Sequence, residues 1–203
     1  MFDAPPQTPA AVAPAFLEAL GRFSPDRPPL VLGHFDADGL SAAAILARGL
    51  SNAGRPAEIR IIGKGENPWS TTLRTELAQR NPGGLLVTDL GVREGDILPG
   101  TPTVLVDHHV PTGRPGEATV ISGNGWSPEP TSSLLAYWCA RALGPAGQFD
   151  GEHAWISPAW LRRASGRADD PAWTQGFEGM LAYAAKKGWV NEAGAIRGHI
   201  ERA

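Results

Sequence analysis

The stretch LGHFDADGL, residues 32–40, sets His34, Asp36 and Asp38 at alternate positions between an apolar run and a glycine-containing segment. Groups of the same chemical kind recur downstream: Asp89 in VTDLG, then Asp107, His108 and His109 in VDHHVP. Imidazole and carboxylate together suit a borderline divalent cation such as Mn2+, Zn2+ or Fe2+, whereas all-oxygen sets suit Mg2+ or Ca2+. The set exceeds what one structural ion needs, and a pair of ions sharing a bridging carboxylate would use it well. Two ions ~3.5–4 Å apart lower the pKa of a shared water and clamp both oxygens of an in-line displacement at phosphorus. Each residue alone has an ordinary reading: Asp38 as a helix cap, Asp89 in a turn, His34 as a satisfied polar group, residues 107–109 as a surface run. The chemistry needs them in one place.

The flanking pattern supplies that place. LVLGHF (30–35), AEIRII (57–62), LLVTDLG (85–91), TVLVDHH (103–109) and ATVIS (118–122) are apolar or β-branched runs that predict buried strands. AFLEALGRF (15–23), GLSAAAILARGLSNAG (39–54), NPWSTTLRTELAQRNPGG (67–84) and TSSLLAYWCARALG (131–144) predict helices, with Asp38 as N-cap of the second and Gly54 as its stop. Alternation of this kind predicts an α/β fold, a parallel sheet flanked by helices, with ligands beyond the carboxyl ends of the strands. His34–Asp38, Asp89 and Asp107–His109 each end a strand, so the apolar pattern puts every candidate at the same edge. Alternate residues of a strand face opposite ways. At Asp36–Ala37–Asp38 the chain is leaving the strand, so a turn can aim several side chains inward, and Gly39 allows backbone close to a ligand.

The 203 residues divide by pattern into an N-terminal arm and helix (1–27), a catalytic-type α/β domain (28–145) and a short, mainly helical extension (146–203). The prolines of MFDAPPQTPAAVAP suggest a loose arm. In the extension, TQGFEGMLAYAAKKGWV (174–190) reads as a helix that stops at Gly188, and NEAGAIRGHIERA (191–203) as a weaker one. The stripe Phe177, Met180, Leu181 and Ala184, with Trp155, Trp160, Trp173 and Trp189, should pack on the first domain or form a homodimer. A net charge of -3 and a pI near 5.9 lack the footprint of a long nucleic-acid track, so any such contact should be short and local. The single cysteine, Cys139, reads as a buried small hydrophobe and suits a reducing cytoplasm. No apolar run is long enough to span a membrane, and no basic region precedes an apolar core as in a signal peptide.

HFDADGLSAAAIL, VTDLG, VDHHVP and WSPEPTSSLLAY, in that order, resemble the DHH phosphoesterases, and the first motif is closest to the RecJ-type branch of single-strand exonucleases. The resemblance covers about residues 28–143. It implies two Mn2+ ions, with Mg2+ or another divalent metal as substitutes. His34 and Asp36 would hold one ion and Asp38 and His108 the other, with Asp89 bridging, Asp107 orienting a histidine and His109 facing the scissile phosphate. A fourth-motif aspartate is also implied; ASGRADD (164–170) offers Asp169 or Asp170, and Asp150 is a weaker candidate, while plain capping of a helix near Pro171 is the ordinary alternative. Family members carry a C-terminal substrate-binding domain with a glycine-rich, histidine-containing motif. AGAIRGHI with His199 is a poor match to it, so the substrate clamp is expected to be missing, replaced or supplied by a partner. Lys64 in GKGENPWS is a candidate phosphate contact or a plain surface lysine, and Thr131, Ser132 and Ser133 at a helix start are candidate donors to an anion or ordinary helix caps. Trp155, Trp160 and Trp173 read as core or a partner interface, with base-stacking surfaces as the alternative. The expected activity is manganese-dependent hydrolysis of phosphoesters in short single-stranded oligonucleotides or small nucleotides, by a hydroxide activated between two metals. The alternative is an inactive metal-binding or interaction module on the same fold.

Overall fold

The computed structural model describes residues 8–144, 147–149, 153–192 and 194–198. The chain divides into two compact units, one of residues up to 51 with 56–143, the other of 52–55 with 144 onward.

In the first unit, five strands, β1 (Leu30–His34), β2 (Glu58–Ile62), β3 (Leu85–Thr88), β4 (Thr103–Asp107) and β5 (Thr119–Ser122), form one parallel sheet in the order β2-β1-β3-β4-β5. Alternate residues of each strand serve opposite faces. Val31, Leu86, Val104, Val106 and Ile121 pack under α1 (Pro9–Gly21), α2 (Ala37–Asn52) and α4 (Ser132–Ala142). Leu30, Leu32, Leu85, Val87, Leu105 and Val120 pack on the other face, where α3 (Thr71–Gln79) contributes Leu73 and Leu77. Burial on both faces is why these strands read as unbroken apolar runs. Cys139 is fully buried among the α4 contacts.

The chain steps outward from β1 to β2 and then returns to the far side of β1 for β3. That reversal opens a crevice at the carboxyl ends of β1 and β3. Register does the rest. Gly33 pairs with Thr88 and Thr88 with Val106, so His34, Asp89 and Asp107 emerge side by side.

Local structure departs from the sequence pattern in three places. Helix α1 begins at Pro9, inside the stretch expected to be a loose arm, because Pro9 suits a first helical turn and Val12, Phe16, Ala19 and Leu20 give it a buried stripe. The cap of α2 is Asp36 rather than Asp38: its Oδ1 accepts from the Gly39 N–H at 2.9 Å, and Asp38 already lies in the first turn. Gly39 is needed for helix-to-strand contact, not for a ligand, since a Cβ there would lie 2.6 Å from both Cβ and O of His34.

The second unit holds α5 (Pro158–Ala164), α6 (Pro171–Lys186) and a three-stranded antiparallel sheet of β6 (Gly147–Phe149), β7 (Ala154–Ile156) and β8 (Ile196–Gly198). Helix predominates among the described residues, but within the span 191–203, where a weaker helix is expected, the described residues 191–192 and 194–198 form a turn and the strand β8. The Asn191 side chain accepts from Ala195 N–H, its carbonyl accepts from Gly194 N–H, and Gly194 adopts φ +77°. Asx chemistry and glycine thus close a tight turn where helix propensity was weak. In α6, Phe177 and Ala184 of the expected stripe are buried, whereas Met180 is exposed.

Candidate metal centre

Asp89 sits at the middle of the crevice. It follows β3 in the left-handed region (φ +62°), a conformation that aspartate tolerates better than most residues and that turns its side chain out of the strand pattern. Its side chain is 2% exposed. Oδ2 lies 3.9 Å from His34 Nδ1, which is itself 2.9 Å from Asp36 Oδ2. Oδ1 lies 3.7 Å from His108 Nε2, which is likewise 3.7 Å from Asp38 Oδ2. The two oxygens of one carboxylate therefore face two separate imidazole–carboxylate pairs. Two atoms that each ligate one ion at ~2.1 Å can be no more than about 4.2 Å apart, and these separations respect that limit. Among the described residues, His34, Asp36 and Asp89 form one group able to hold a cation, and Asp89, His108 and His109 another.

The ligand-bearing side chains are held from behind. Ser132 Oγ donates to Asp89 Oδ1 at 2.9 Å in a buried bond, while the N–H groups of Ser132 and Ser133 donate to Asp38 Oδ2 and Oδ1, both at 2.9 Å. For Ser132 and Ser133 the sequence leaves open donation to an anionic substrate or plain capping. Their donors instead clasp the aspartates, because Asp38 occupies the N-terminus of α4 where an anion would sit. Thr131 caps the same helix through Leu134 N–H. Asp107 is buried and accepts from Gly91 N–H at 2.8 Å, from His109 N–H at 2.7 Å, and lies 3.0 Å from His109 Nδ1. It ties the loop after β3 to the loop after β4 and fixes the His109 ring.

Protonation follows from this packing. Burial, then the nearby charges of Asp38 and Asp36, push the Asp89 carboxyl up to about 6 against the pull of Ser132. Asp36 is held below the ordinary carboxylate range chiefly by the Gly39 N–H, then by His34. For Asp38 burial acts upward, but the bonds from Ser133 and Ser132 outweigh it and the carboxyl is lowered. Ionised Asp89 is thus the costly member of the cluster, and a cation bound beside it would offset that cost.

A cleft of about 780 Å3 opens from this cluster. His34, Asp36, Asp89 and His109 line one part; Glu66, Asn67, Arg93 and Thr112 line another. Lys64, a candidate phosphate contact, is exposed in the turn after β2, and the lining is formed by its neighbours Gly63, Gly65 and Glu66. Glu66 is fixed by Arg60, with Arg60 Nη2 to Glu66 Oε1 at 2.7 Å, and its carboxyl is lowered to about 2 by Arg60 and the Gly63 N–H. Asp169 is exposed in the second unit, and Asp170 caps α6 through Ala172 and Trp173 N–H, the ordinary alternative for this pair. Asp150 and His199 lie outside the described residues. Arg93 escaped the sequence reading, although VREGD directly after the Asp89 strand end carried it to this edge.

No family model and no curated protein sequence matches the chain. Solved structures do. RecJ from Thermus thermophilus in complex with Mn2+ matches with a TM-score of 0.52 and 22% identity, over 70% of this chain and 22% of that one. An exonuclease RecJ bound to manganese matches with a TM-score of 0.53 and 19% identity, over 91% of this chain and 50% of the other. The chain spans half or less of the length of either relative. Among the described residues no helix is long and apolar enough to cross a membrane. With its parallel sheet, its strand order and these neighbours, the chain has a DHH/RecJ-like α/β fold.

Proposed function

We propose that this chain is a metal-dependent phosphodiesterase that acts on short single-stranded oligonucleotides or small nucleotides, with Mn2+ as its favoured ion. One observation carries the reading: Asp89 turns one oxygen toward His34 and Asp36 and the other toward His108 and Asp38. Imidazoles mixed with carboxylates fit a borderline divalent ion. His34 and Asp36 would hold one ion, Asp38 and His108 the other, with Asp89 shared. Bound there, the ions supply charge compensation at the phosphoryl oxygens and a lowered pKa for an attacking water. That both RecJ neighbours were solved with manganese supports the choice of ion.

The protein's own groups prepare the rest. Ser132 and the α4 N–H groups fix the aspartates, so little reorganisation is needed when charge develops. Asp107 takes the Nδ1 side of His109. With a proton on Nδ1, Nε2 accepts in the neutral ring and donates once protonated, which equips His109 to pass a proton to a departing oxygen in the cleft.

The test is product release from a labelled dinucleotide, a longer single strand and a phosphomonoester, run side by side with Mn2+ and with EDTA. The expected result is manganese-dependent cleavage of the dinucleotide and the single strand. Protein that binds Mn2+ yet releases product from none of the three would establish the inactive module instead.

A further inference from the structure

Glu66 puts a negative charge on the wall of a cleft that is to receive an anion. It is exposed on the turn after β2 and lines the same cavity as His34, Asp36, Asp89 and His109. Its carboxyl is lowered to about 2, first by Arg60 and then by the Gly63 N–H, so it is ionised throughout the neutral range. Protonation does not remove that charge, and only a cation can offset it.

Arg60 is that cation. It projects from the edge strand β2, and its one guanidinium holds two carboxylates. Nη2 and Nη1 donate to Oε1 and Oε2 of Glu66 at 2.7 and 2.9 Å. Nε and Nη2 donate to Oε1 and Oε2 of Glu76 at 3.0 and 3.1 Å, and Nη1 also donates to the Ile61 carbonyl. All the N–H donors of the fork are thereby engaged. The two acids are not equivalent. Glu76 has a second cation in Arg80, at 3.1 Å, whereas the further partner of Glu66 is the neutral Gly63 N–H, at 2.6 Å. Without Arg60, Glu76 remains paired and Glu66 becomes a bare anion at the cleft.

Glu66 also closes its own turn. Its N–H donates to Gly63 O at 3.1 Å, and Gly65 between them takes φ +85°. Arg60 therefore has two separable effects: it steadies the turn, and it cancels the charge that the turn carries.

We propose that Arg60 is a positioning residue of the cleft: by taking both oxygens of Glu66 it keeps that carboxylate from opposing an anionic substrate, and so sets affinity rather than turnover. This rests on the phosphodiesterase reading for the charge of the substrate.

The test uses Mn2+-dependent hydrolysis of the dinucleotide ApA, and equilibrium binding of ApA with Ca2+ in place of Mn2+. Arg60→Ala should raise KM roughly three- to tenfold at low salt, the size of one charge at the edge of a water-filled cleft, with kcat little changed. The penalty should shrink as salt rises above ~0.15 M. Adding Glu66→Gln to Arg60→Ala removes the bare charge but does not restore the tie, and should recover most of the loss. Arg60→Lys carries the same comparison should the alanine chain not fold: an ammonium cannot hold both carboxylates bidentately, so KM rises less, and Glu66→Gln again recovers it. An Arg60→Ala chain with the wild-type KM, a penalty that ignores salt, or a double variant no better than the single one overturns the proposal, the last by leaving Arg60 with the turn alone. If ApA is bound but not cleaved, and its affinity follows Arg60 and Glu66 in this way, the role of Arg60 stands and the proposed reaction fails. A wild-type chain that neither binds nor cleaves ApA overturns both.

Discussion

Replacing Asp89 with asparagine should make the metal-free protein more stable and the metal-loaded protein less so. Asp89 is 4% exposed, and its carboxyl is pushed up to about 6 from an ordinary 3.8. Between those values the folded state binds more protons than the unfolded chain, so folding stability falls as pH rises through that window. Above it the full cost is present, about two pH units at ~1.4 kcal/mol each, or on the order of 3 kcal/mol. Asparagine never ionises, accepts the Ser132 bond through its carbonyl, and tolerates the left-handed backbone. The weaker bond to a neutral acceptor returns ~1 kcal/mol, which leaves a gain of about 2 kcal/mol and roughly 4–8 °C in Tm at pH 8. Mn2+ at a hundredfold excess over its Kd should add ~2.7 kcal/mol per site to the wild type and much less to the variant, so the order inverts. Thermal unfolding at pH 8 in EDTA and in Mn2+, and at pH 5 in EDTA where the gap should narrow, measures all of this. A variant that melts below wild type in EDTA at pH 8, or that gains as much from Mn2+, refutes the bridging role.

Other replacements act through single contacts. Asp107→Asn cannot accept from Gly91 and serve His109 as the carboxylate does, and should cost about 2–4 kcal/mol in thermal unfolding as well as activity. Ser132→Ala leaves the Asp38 clasp in place but frees Asp89, and should weaken Mn2+ binding by about tenfold or more in a calorimetric titration. Gly39→Ala places a Cβ 2.6 Å from the His34 backbone oxygen, and should cost about 2–3 kcal/mol and displace His34, read as lost Mn2+-induced stabilisation. On acidification, the Arg60–Glu66 tie should hold until pH falls below the ordinary glutamate range toward about 2, because the folded-state carboxyl is lowered; NMR titration of Glu66 follows it.

Period and punctuation made the sheet readable. Strands buried on both faces leave unbroken apolar runs, and where those runs stop on Asp or His the chemistry begins, which brought His34, Asp89 and Asp107 to one edge before any register was known. What the pattern left open depends on contacts between distant segments. Nothing local distinguishes Ser132 as a donor to Asp89 from Ser132 as a donor to a ligand; the two lie 43 positions apart in sequence, and the chain between them must fold first. The cap of α2 moved from Asp38 to Asp36 for the same reason, since Asp38 is claimed by α4. Short strands such as β8 carry too few residues to show a period, and there the turn at Asn191 decided the outcome.

Anomalous scattering from a crystal grown with Mn2+ tests the centre most directly. Two manganese peaks should flank Asp89, one beside Oδ2 with His34 and Asp36, the other beside Oδ1 with His108 and Asp38. A single ion, or manganese bound away from Asp89, would contradict the shared-carboxylate site on which the proposed hydrolysis depends.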